Sequence, residues 1–212
     1  MMPIKKGKEP GILHTLRRKY KGESDPYELF RNNHPEYYKM VRSELLKEQQ
    51  GHCCYCMAKI LEDGDKSDKM SVEHFKPKSK HHSESLRYSN LLASCSRNYS
   101  CNHSKGDKNM EFIPNPADKI KHSFFDEIEY KWETGEISIN NYYFNNLTEE
   151  DKKKLEDDIN EKLKLNCVEH KEFRKKKVQK IINKKLQPDK NPPIGQIKFC
   201  EFIKYCYPDY KI

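Results

Sequence analysis

Two pairs of cysteines constrain this 212-residue chain more than any other feature. Cys53 and Cys56 form a Cys-x2-Cys pair, and a two-residue spacer allows two thiolates from one tight turn to reach a single ion. Cys95 and Cys101 follow about forty residues later with a wider spacing, so the chain between them must loop out. His103 is an alternative to Cys101 as the fourth ligand. We predict a structural Zn²⁺ site formed by Cys53, Cys56, Cys95 and Cys101.

The composition gives a reason for such a site. Hydrophobic residues make up only 34% of the chain, charged residues make up 35%, and the mean hydropathy is −1.09. This apolar share is low for a globular protein. Zn²⁺ binding to folded thiolates contributes on the order of 10 kcal/mol to folding. A metal site can therefore compensate for a thin core.

The remaining cysteines are predicted to play no part in metal binding. Cys54 lies beside the first pair, and its side chain should point away from the ion. Cys167, Cys200 and Cys206 are expected to be core residues or free thiols. No signal peptide and no stretch long enough to span a membrane are visible. Eight cysteines in such a chain favour thiolate chemistry in a reducing cytoplasm over disulfides.

The chain is basic, with a formal net charge of +8. A tetrathiolate zinc site would lower that charge by two and leave it positive. A positive balance is compatible with a polyanionic partner, although excess lysine also serves solubility. The lysine-rich window 171–190 has the same two interpretations, a solvated helix face or a contact with a nucleic acid or protein partner.

Local patterns predict an α+β protein. Residues 1–25 are expected to form an extended arm, and Asp25-Pro26 should start a helix, because Asp caps a helix well and Pro suits its first turn. A second helix should run over residues 35–50 and end at Gly51. Short strands are expected at 70–74 and 86–92, and a helix should begin near Cys101-Asn102.

The C-terminal half changes in pattern. Alternating apolar residues flank Thr134-Gly135 and predict a β-hairpin; they are Ile128, Tyr130, Trp132, Ile137 and Ile139. Two helical patterns follow, one with Leu155, Ile159 and Leu163 and one with Val178, Ile181, Ile182 and Leu186, ended by Pro188. We divide the chain into an arm with helices (1–50), a cysteine-containing core (51–116) and a hairpin with a helical region (117–212).

Residues between and after the cysteine pairs have the chemistry that phosphodiester hydrolysis needs. His74 is a candidate general base, because a neutral imidazole accepts a proton near pH 7. Glu73 is a hard oxygen ligand suited to Mg²⁺, Asn90 is a candidate partner that orients His74, and Lys105 is a candidate phosphate-binding cation. On a regular strand Glu73 and His74 face opposite sides. The alternative to a catalytic site is that His74 is an ordinary core histidine and Glu73 a solvated carboxylate.

These residues resemble the HNH nuclease family. The resemblance lies in Glu73-His74, in Asn90 and in the segment 101–105, all set among cysteine pairs. It implies a zinc-stabilised, treble-clef-like ββα-metal core with a mainly helical periphery. It also implies that His74 is the general base, Asn90 its orienting residue and Glu73 a ligand of a catalytic Mg²⁺ or similar ion. The family usually has histidine after the last cysteine, whereas this chain has Asn102, so either Asn102 or His103 is the third metal position.

More narrowly, the chain is similar to PtuB-type HNH proteins of Septu and retron anti-phage defence systems. The similar segments lie within residues 1–116 and are 2–6, 51–57, 72–79, 86–93 and 104–108. The resemblance implies an effector nuclease that works beside a PtuA-type ABC/SMC-like ATPase. In some such systems a reverse transcriptase with its RNA–DNA also takes part.

The predicted function is metal-dependent endonucleolytic cleavage, with DNA as the expected substrate and 5′-phosphate and 3′-hydroxyl ends as products. Cleavage of tRNA or another RNA is equally compatible with these residues, because DNA and RNA share phosphate charge. A third interpretation is a catalytically silent zinc module that binds nucleic acid or protein. The non-standard Asn102 is its best support.

Overall fold

The computed structural model describes residues 1–65, 68–131, 133–184 and 196–198. It is a mixed α+β protein with two small sheets and a cluster of four buried cysteines. Within the described residues, no helix has both the length and the apolar character needed to cross a membrane.

Three helices precede the first sheet: α1 (Gly11–Lys19), α2 (Pro26–Asn33) and α3 (Pro35–Glu48). The predicted start of α2 is confirmed, because the Asp25 carboxylate accepts a hydrogen bond from the Glu28 backbone N–H at 3.0 Å. The predicted second helix corresponds to α3. The chain leaves α3 through Gly51, whose φ of 71° lies in the left-handed region that glycine adopts without strain.

Strand β1 (Met70–His74) pairs antiparallel with β2 (Leu91–Cys95), and helix α4 (Cys101–Lys105) follows. The position of β1 matches the prediction. The second strand was predicted too early, at 86–92, because residues Tyr88–Asn90 form a single 3₁₀ turn. The register pairs Met70 with Cys95 and His74 with Leu91. The sheet therefore places a zinc-ligand candidate at one end and His74 at the other.

The second sheet has the order β4-β3-β5, formed by β3 (Ile128–Lys131), β4 (Ile137–Ile139) and β5 (Gln196–Lys198). This confirms the predicted hairpin, although Trp132 lies outside the described residues. The helices of this half are α5 (Asn141–Asn145), α6 (Glu149–Asp157), which continues as a π-helical turn over Asp158–Lys162, and α7 (Val168–Lys184). Leu186, Pro188 and the last part of the lysine-rich window also lie outside the described residues.

The prediction of an extended N-terminal arm is wrong. Met1, Met2 and Ile4 are buried in the core, and residues 11–19 form α1. Lys6 forms an ion pair with Glu48 of α3 at 2.8 Å. Three apolar side chains in so short a segment give no periodicity, so only the packing against the rest of the chain reveals that this segment is part of the core.

A buried carboxylate connects α6 to the loop at 111–113. Asp158 is fully buried, and its side chain accepts hydrogen bonds from the backbone N–H groups of Glu111, Phe112 and Ile113 at 3.0, 2.8 and 2.9 Å. Lys162 contributes an ion pair to it at 2.8 Å. One side chain thus satisfies three backbone donors that would otherwise be buried without a partner.

We expect Asp158→Ala to lower the free energy of unfolding by about 3–5 kcal/mol, because it leaves three backbone donors without their acceptor and removes the buried one of the carboxylates that pair with Lys162. Urea denaturation followed by circular dichroism measures the change. Asp157→Ala is the matched control. Asp157 also pairs with Lys162, at 3.1 Å, but its side chain is 43% exposed, so the cost should stay below about 1 kcal/mol. Equal costs for the two variants would contradict this role of Asp158.

Candidate functional site

The four predicted sulfur ligands converge on one point. The Sγ atoms of Cys53, Cys56, Cys95 and Cys101 all lie within 4.8 Å of one another, and all four residues are buried. Two tetrahedral Zn–S bonds of 2.3 Å place their sulfurs about 3.8 Å apart, and Cys56 Sγ lies 3.9 Å from Cys95 Sγ. The cluster therefore fits a four-coordinate zinc ion in both donor type and spacing.

The backbone around the cluster is held in unusual conformations. Met57, directly after the first pair, has φ of 60°, and Cys101 has φ of 55°. Left-handed φ values are uncommon for residues other than glycine and have an energetic cost. Hydrogen bonds fix the first turn, from Met57 N–H to the Cys53 carbonyl at 3.1 Å and from Cys53 N–H to the Ala58 carbonyl at 2.9 Å. Metal ligation by Cys101 would offset the cost at α4.

The geometry of the cluster also decides which of two residues, Cys101 or His103, is the fourth ligand candidate. Cys101 is the fourth sulfur, whereas His103 is exposed on the outer side of α4. Cys54 is buried but does not belong to the group of four. Its prediction as a bystander is consistent with this geometry.

Three cationic or polar side chains lie near the sulfur cluster, one of them two residues after Cys95 and the other two in α7. Arg97 donates to Cys56 Sγ at 3.6 Å. His170 Nε2 lies 3.8 Å from Cys101 Sγ and 2.8 Å from Ser100 Oγ. Arg174 is 2% exposed; burial lowers its pKa to about 10, and the charge of Cys56 opposes this shift.

Charge balance explains these neighbours. Four thiolates and one Zn²⁺ carry a net charge of −2, and the two guanidinium groups of Arg97 and Arg174 carry the opposite charge. Such groups around a metal site orient and stabilise its ligands. No motif marks Arg97 in the sequence, and no spacing rule connects His170 and Arg174 of α7 to Cys101, which lies some seventy residues earlier.

We expect the purified protein to contain one zinc ion per chain, and Cys95→Ser to lose it, because three thiolates bind Zn²⁺ far less tightly than four. Inductively coupled plasma mass spectrometry measures the metal content. Cys54→Ala is the control at a neighbouring buried thiol and should retain the full zinc content. Zinc loss from Cys54→Ala but not from Cys95→Ser would contradict the assignment.

A cleft of about 370 Å³ opens along β1. It lies between β1 and α4 on one side and α2 and α3 on the other. Glu73, His74 and Asn102 are part of its lining, together with Arg42 and Lys78. Three of the sequence-predicted site residues therefore share one cleft.

The ring of His74 is fixed in one orientation. Its Nε2 lies 3.0 Å from the Ser85 carbonyl oxygen, and its ring packs edge-on against Tyr27 with centroids 4.4 Å apart. A carbonyl accepts but cannot donate, so the ring proton belongs on Nε2 and the lone pair on Nδ1. Burial lowers the pKa of His74 to about 4, so the ring is neutral near pH 7. His74 thus has the tautomer and charge of a proton acceptor.

Asn90 supports His74 without contacting it. Its Oδ1 accepts from the Lys76 backbone N–H at 2.7 Å, and its Nδ2 donates to the carbonyls of Lys76 and Glu84 at 3.0 and 3.1 Å. These bonds fix the segments on either side of the loop, including Ser85, whose carbonyl holds His74. An orienting role of Asn90 would therefore act through the backbone.

The structure does not place Lys105 where it can bind a phosphate. Lys105 is 1% exposed, and its Nζ lies 2.8 Å from Glu73 Oε1 and 2.9 Å from the His74 carbonyl. Tyr55 donates to the same oxygen of Glu73 at 2.7 Å. Burial raises the pKa of the Glu73 carboxyl, and the Lys105 ammonium opposes that rise. Lys105 is thus the counter-ion of Glu73 inside the protein.

Asn102 and His103 are adjacent in α4 but reach different places. Asn102 lines the cleft, and its Nδ2 donates to Ser71 Oγ of β1 at 3.1 Å. His103 is exposed and is not among the described residues that line the cleft. Of the two residues, Asn102 is therefore the one that can act together with Glu73 and His74.

Glu73 and Asn102 supply the oxygen donors that a hard divalent ion such as Mg²⁺ prefers. Their donor type fits the ion, but the Glu73 carboxylate already has a cation beside it, namely Lys105 at 2.8 Å. Binding of a divalent ion through Glu73 would have to compete with this internal partner.

Sequence analysis also missed a cation in the cleft. Arg42 of α3 donates to the carbonyl oxygens of Glu62 and Met70 at 3.1 and 3.3 Å. Within the described part of the chain its partners are neutral carbonyls, so its charge is not cancelled by a carboxylate. Lys78, by contrast, pairs with Asp25 at 2.6 Å. No local motif marks Arg42, because α3 reaches the cleft only in the folded protein.

No protein-family model matches this chain, and no curated protein is significantly similar to it. The interpretation of the site therefore depends on its geometry and on the motif resemblance.

We expect Lys105→Met to lower the free energy of unfolding by about 3–5 kcal/mol, because it leaves the Glu73 carboxylate buried without its counter-ion. The double variant Lys105→Met/Glu73→Gln should recover most of this loss, since it removes both charges and retains an acceptor for Tyr55. Urea denaturation measures both. A stable Lys105→Met variant with weaker nucleic-acid binding would instead support the original phosphate-binding prediction.

Proposed function

We propose that this protein is a metal-dependent endonuclease of the HNH type that hydrolyses phosphodiester bonds, with DNA as its substrate. The observation that carries the proposal is the state of His74. A neutral imidazole, with its proton directed to Ser85 and its free lone pair on Nδ1, lies in a cleft that also contains Asn102 and Arg42.

The chemistry assigned to these residues is general-base hydrolysis. His74 accepts a proton from a water molecule as that water attacks phosphorus. Its low pKa favours the neutral form before substrate binds, and the negative charge of a bound phosphate raises its affinity for the proton. Arg42 contributes positive charge where the phosphate lies.

The order of elements supports the same assignment. An antiparallel strand pair, β1 and β2, is followed by the short helix α4, with His74 at the end of the first strand and Asn102 in the helix. This order resembles the ββα-metal core of HNH nucleases. In such a core, Glu73 and Asn102 would hold Mg²⁺, which when bound supplies positive charge to the departing 3′ oxygen.

A second candidate function is a zinc module that binds nucleic acid without cleaving it. The ion pair between Lys105 and Glu73 favours this alternative, because it neutralises the one carboxylate among the predicted metal ligands. A binder requires zinc for folding only, whereas the nuclease requires in addition an exchangeable hard ion.

The PtuB-type resemblance extends the proposal to a partner. We propose that an ABC/SMC-like ATPase positions or restrains this nuclease. Co-expression and co-purification of the two proteins tests that part separately from catalysis.

We expect His74→Ala to reduce plasmid nicking in Mg²⁺ by about 10²–10⁴-fold, the contribution typical of a general base, while the protein keeps its zinc content and its unfolding midpoint. Agarose-gel quantification of supercoiled and nicked plasmid measures the rate.

His103→Ala is the matched control, because it removes an exposed imidazole outside the cleft and should cleave at the parent rate. Nicking by His74→Ala at the parent rate would refute the assignment. Labelled duplex DNA, single-stranded DNA and tRNA, each with and without the ATPase, identify the substrate.

A further inference from the structure

A second depression, of about 670 Å³, lies next to the cleft and is here named the basic groove. It is bounded by the C-terminal end of α1, by the turn that follows α1 and by residues 82–87. Its described lining contains four permanently cationic side chains, those of Arg17, Arg18, Lys21 and Arg87, and a single carboxylate, Glu23. The lining therefore has more cations than carboxylates, although Arg17 and Arg87 pair with carboxylates outside it.

The basic groove and the cleft share a dividing wall. Pro26 lines the groove, and its neighbour Tyr27 lines the cleft and packs against His74. Ser85 also lines the groove, and its carbonyl holds His74 at 3.0 Å. A polymer that enters the cleft at His74 would find the groove directly beside it.

Two of the four cations hold the groove together. Arg17 donates to the Leu86 carbonyl at 3.0 Å and to the carboxylate of Glu9 at 2.8 Å, which fastens α1 to the loop 82–87. Arg87 pairs with Glu84 at 2.8 Å. Their positions are set by the protein, so the groove keeps its shape.

The other two cations are available to a ligand. Arg18 and Lys21 are exposed, and neither has an ion-pair or hydrogen-bond partner among the described residues. Exposed cations of this kind neutralise phosphates and release counterions, which is the main source of affinity for a nucleic-acid backbone.

We propose that the basic groove binds the phosphate backbone of double-stranded DNA beside the bond that is cut in the cleft. This inference rests on the proposed function. A duplex is favoured over a single strand because single strands are held by stacking on exposed aromatic rings. Among the described residues that line the groove, Tyr20 is the one Phe, Tyr or Trp residue, and it is 7% exposed, with its hydroxyl 3.1 Å from His34 Nε2.

The test compares the full-length double variant Arg18→Gln/Lys21→Gln with the control Lys47→Gln/Lys153→Gln. The control removes the same charge from two exposed lysines outside the groove that likewise have no described partner. Binding of a labelled duplex is measured by fluorescence anisotropy at several salt concentrations, without added divalent ions, and unfolding midpoints verify the fold.

We expect the groove variant to bind duplex DNA at least about tenfold more weakly near 0.1 M salt. The slope of log K against log salt should become shallower by about two, since each lost phosphate contact removes about 0.9. The control should keep the parent slope. Equal affinity and slope for the groove variant and the control would overturn the proposal, as would a loss confined to single strands or tRNA.

DNA binding by the groove and cleavage at His74 are tested by different variants, so either proposal can be refuted without the other. Weak DNA binding by the groove variant, combined with parent-rate nicking by His74→Ala, would refute the nuclease assignment and keep the groove as a DNA-binding surface. Parent-like DNA binding by the groove variant, combined with loss of nicking in His74→Ala, would refute the groove and keep the nuclease.

Discussion

The structure depends on the convergence of four cysteine side chains from three separate chain segments. The turn at 53–56, the end of β2 at Cys95 and the first residue of α4, Cys101, meet within 4.8 Å. Because apolar side chains are scarce, a metal ion bound by these cysteines would contribute folding free energy that a larger apolar core contributes in other proteins. It fixes α4 against the β1–β2 sheet. Through His170 and Arg174 it also brings α7, which is remote in sequence, against the same cluster.

The cleft is a consequence of that arrangement. Fixing α4 places Asn102 beside Ser71, and fixing the register of β1 and β2 places His74 at the far end of the sheet from Cys95. His74 is then oriented by a chain of backbone contacts that begins at Asn90 and ends at the Ser85 carbonyl. A proton acceptor is thus positioned by the backbone and by a neighbouring ring, and burial lowers its pKa against the opposing effect of the Asp25 carboxylate.

Buried polar networks replace part of the missing apolar core. Asp158 satisfies three backbone donors, and Glu73 is shared by Lys105 and Tyr55. Such networks specify one arrangement when every group is satisfied and are costly when one member is removed. They also hold some of the lysines inside the protein, paired with carboxylates. The cations that are free to meet a polyanion are therefore fewer than the composition suggests, and Arg18 and Lys21 are among them.

By itself, the sequence determined the local features: the two cysteine pairs from their spacing, the start of α2 from Asp25-Pro26, strand β1 and the hairpin from alternation. These depend on neighbours within a few residues, so pattern and propensity are sufficient. Only the tertiary structure decided that the N-terminal segment is core, that β2 begins at Leu91, and that Lys105 is paired inside the protein. It also decided that Arg42 reaches the cleft. Each of these depends on contacts between residues far apart in the chain, which leave no periodic trace in the sequence.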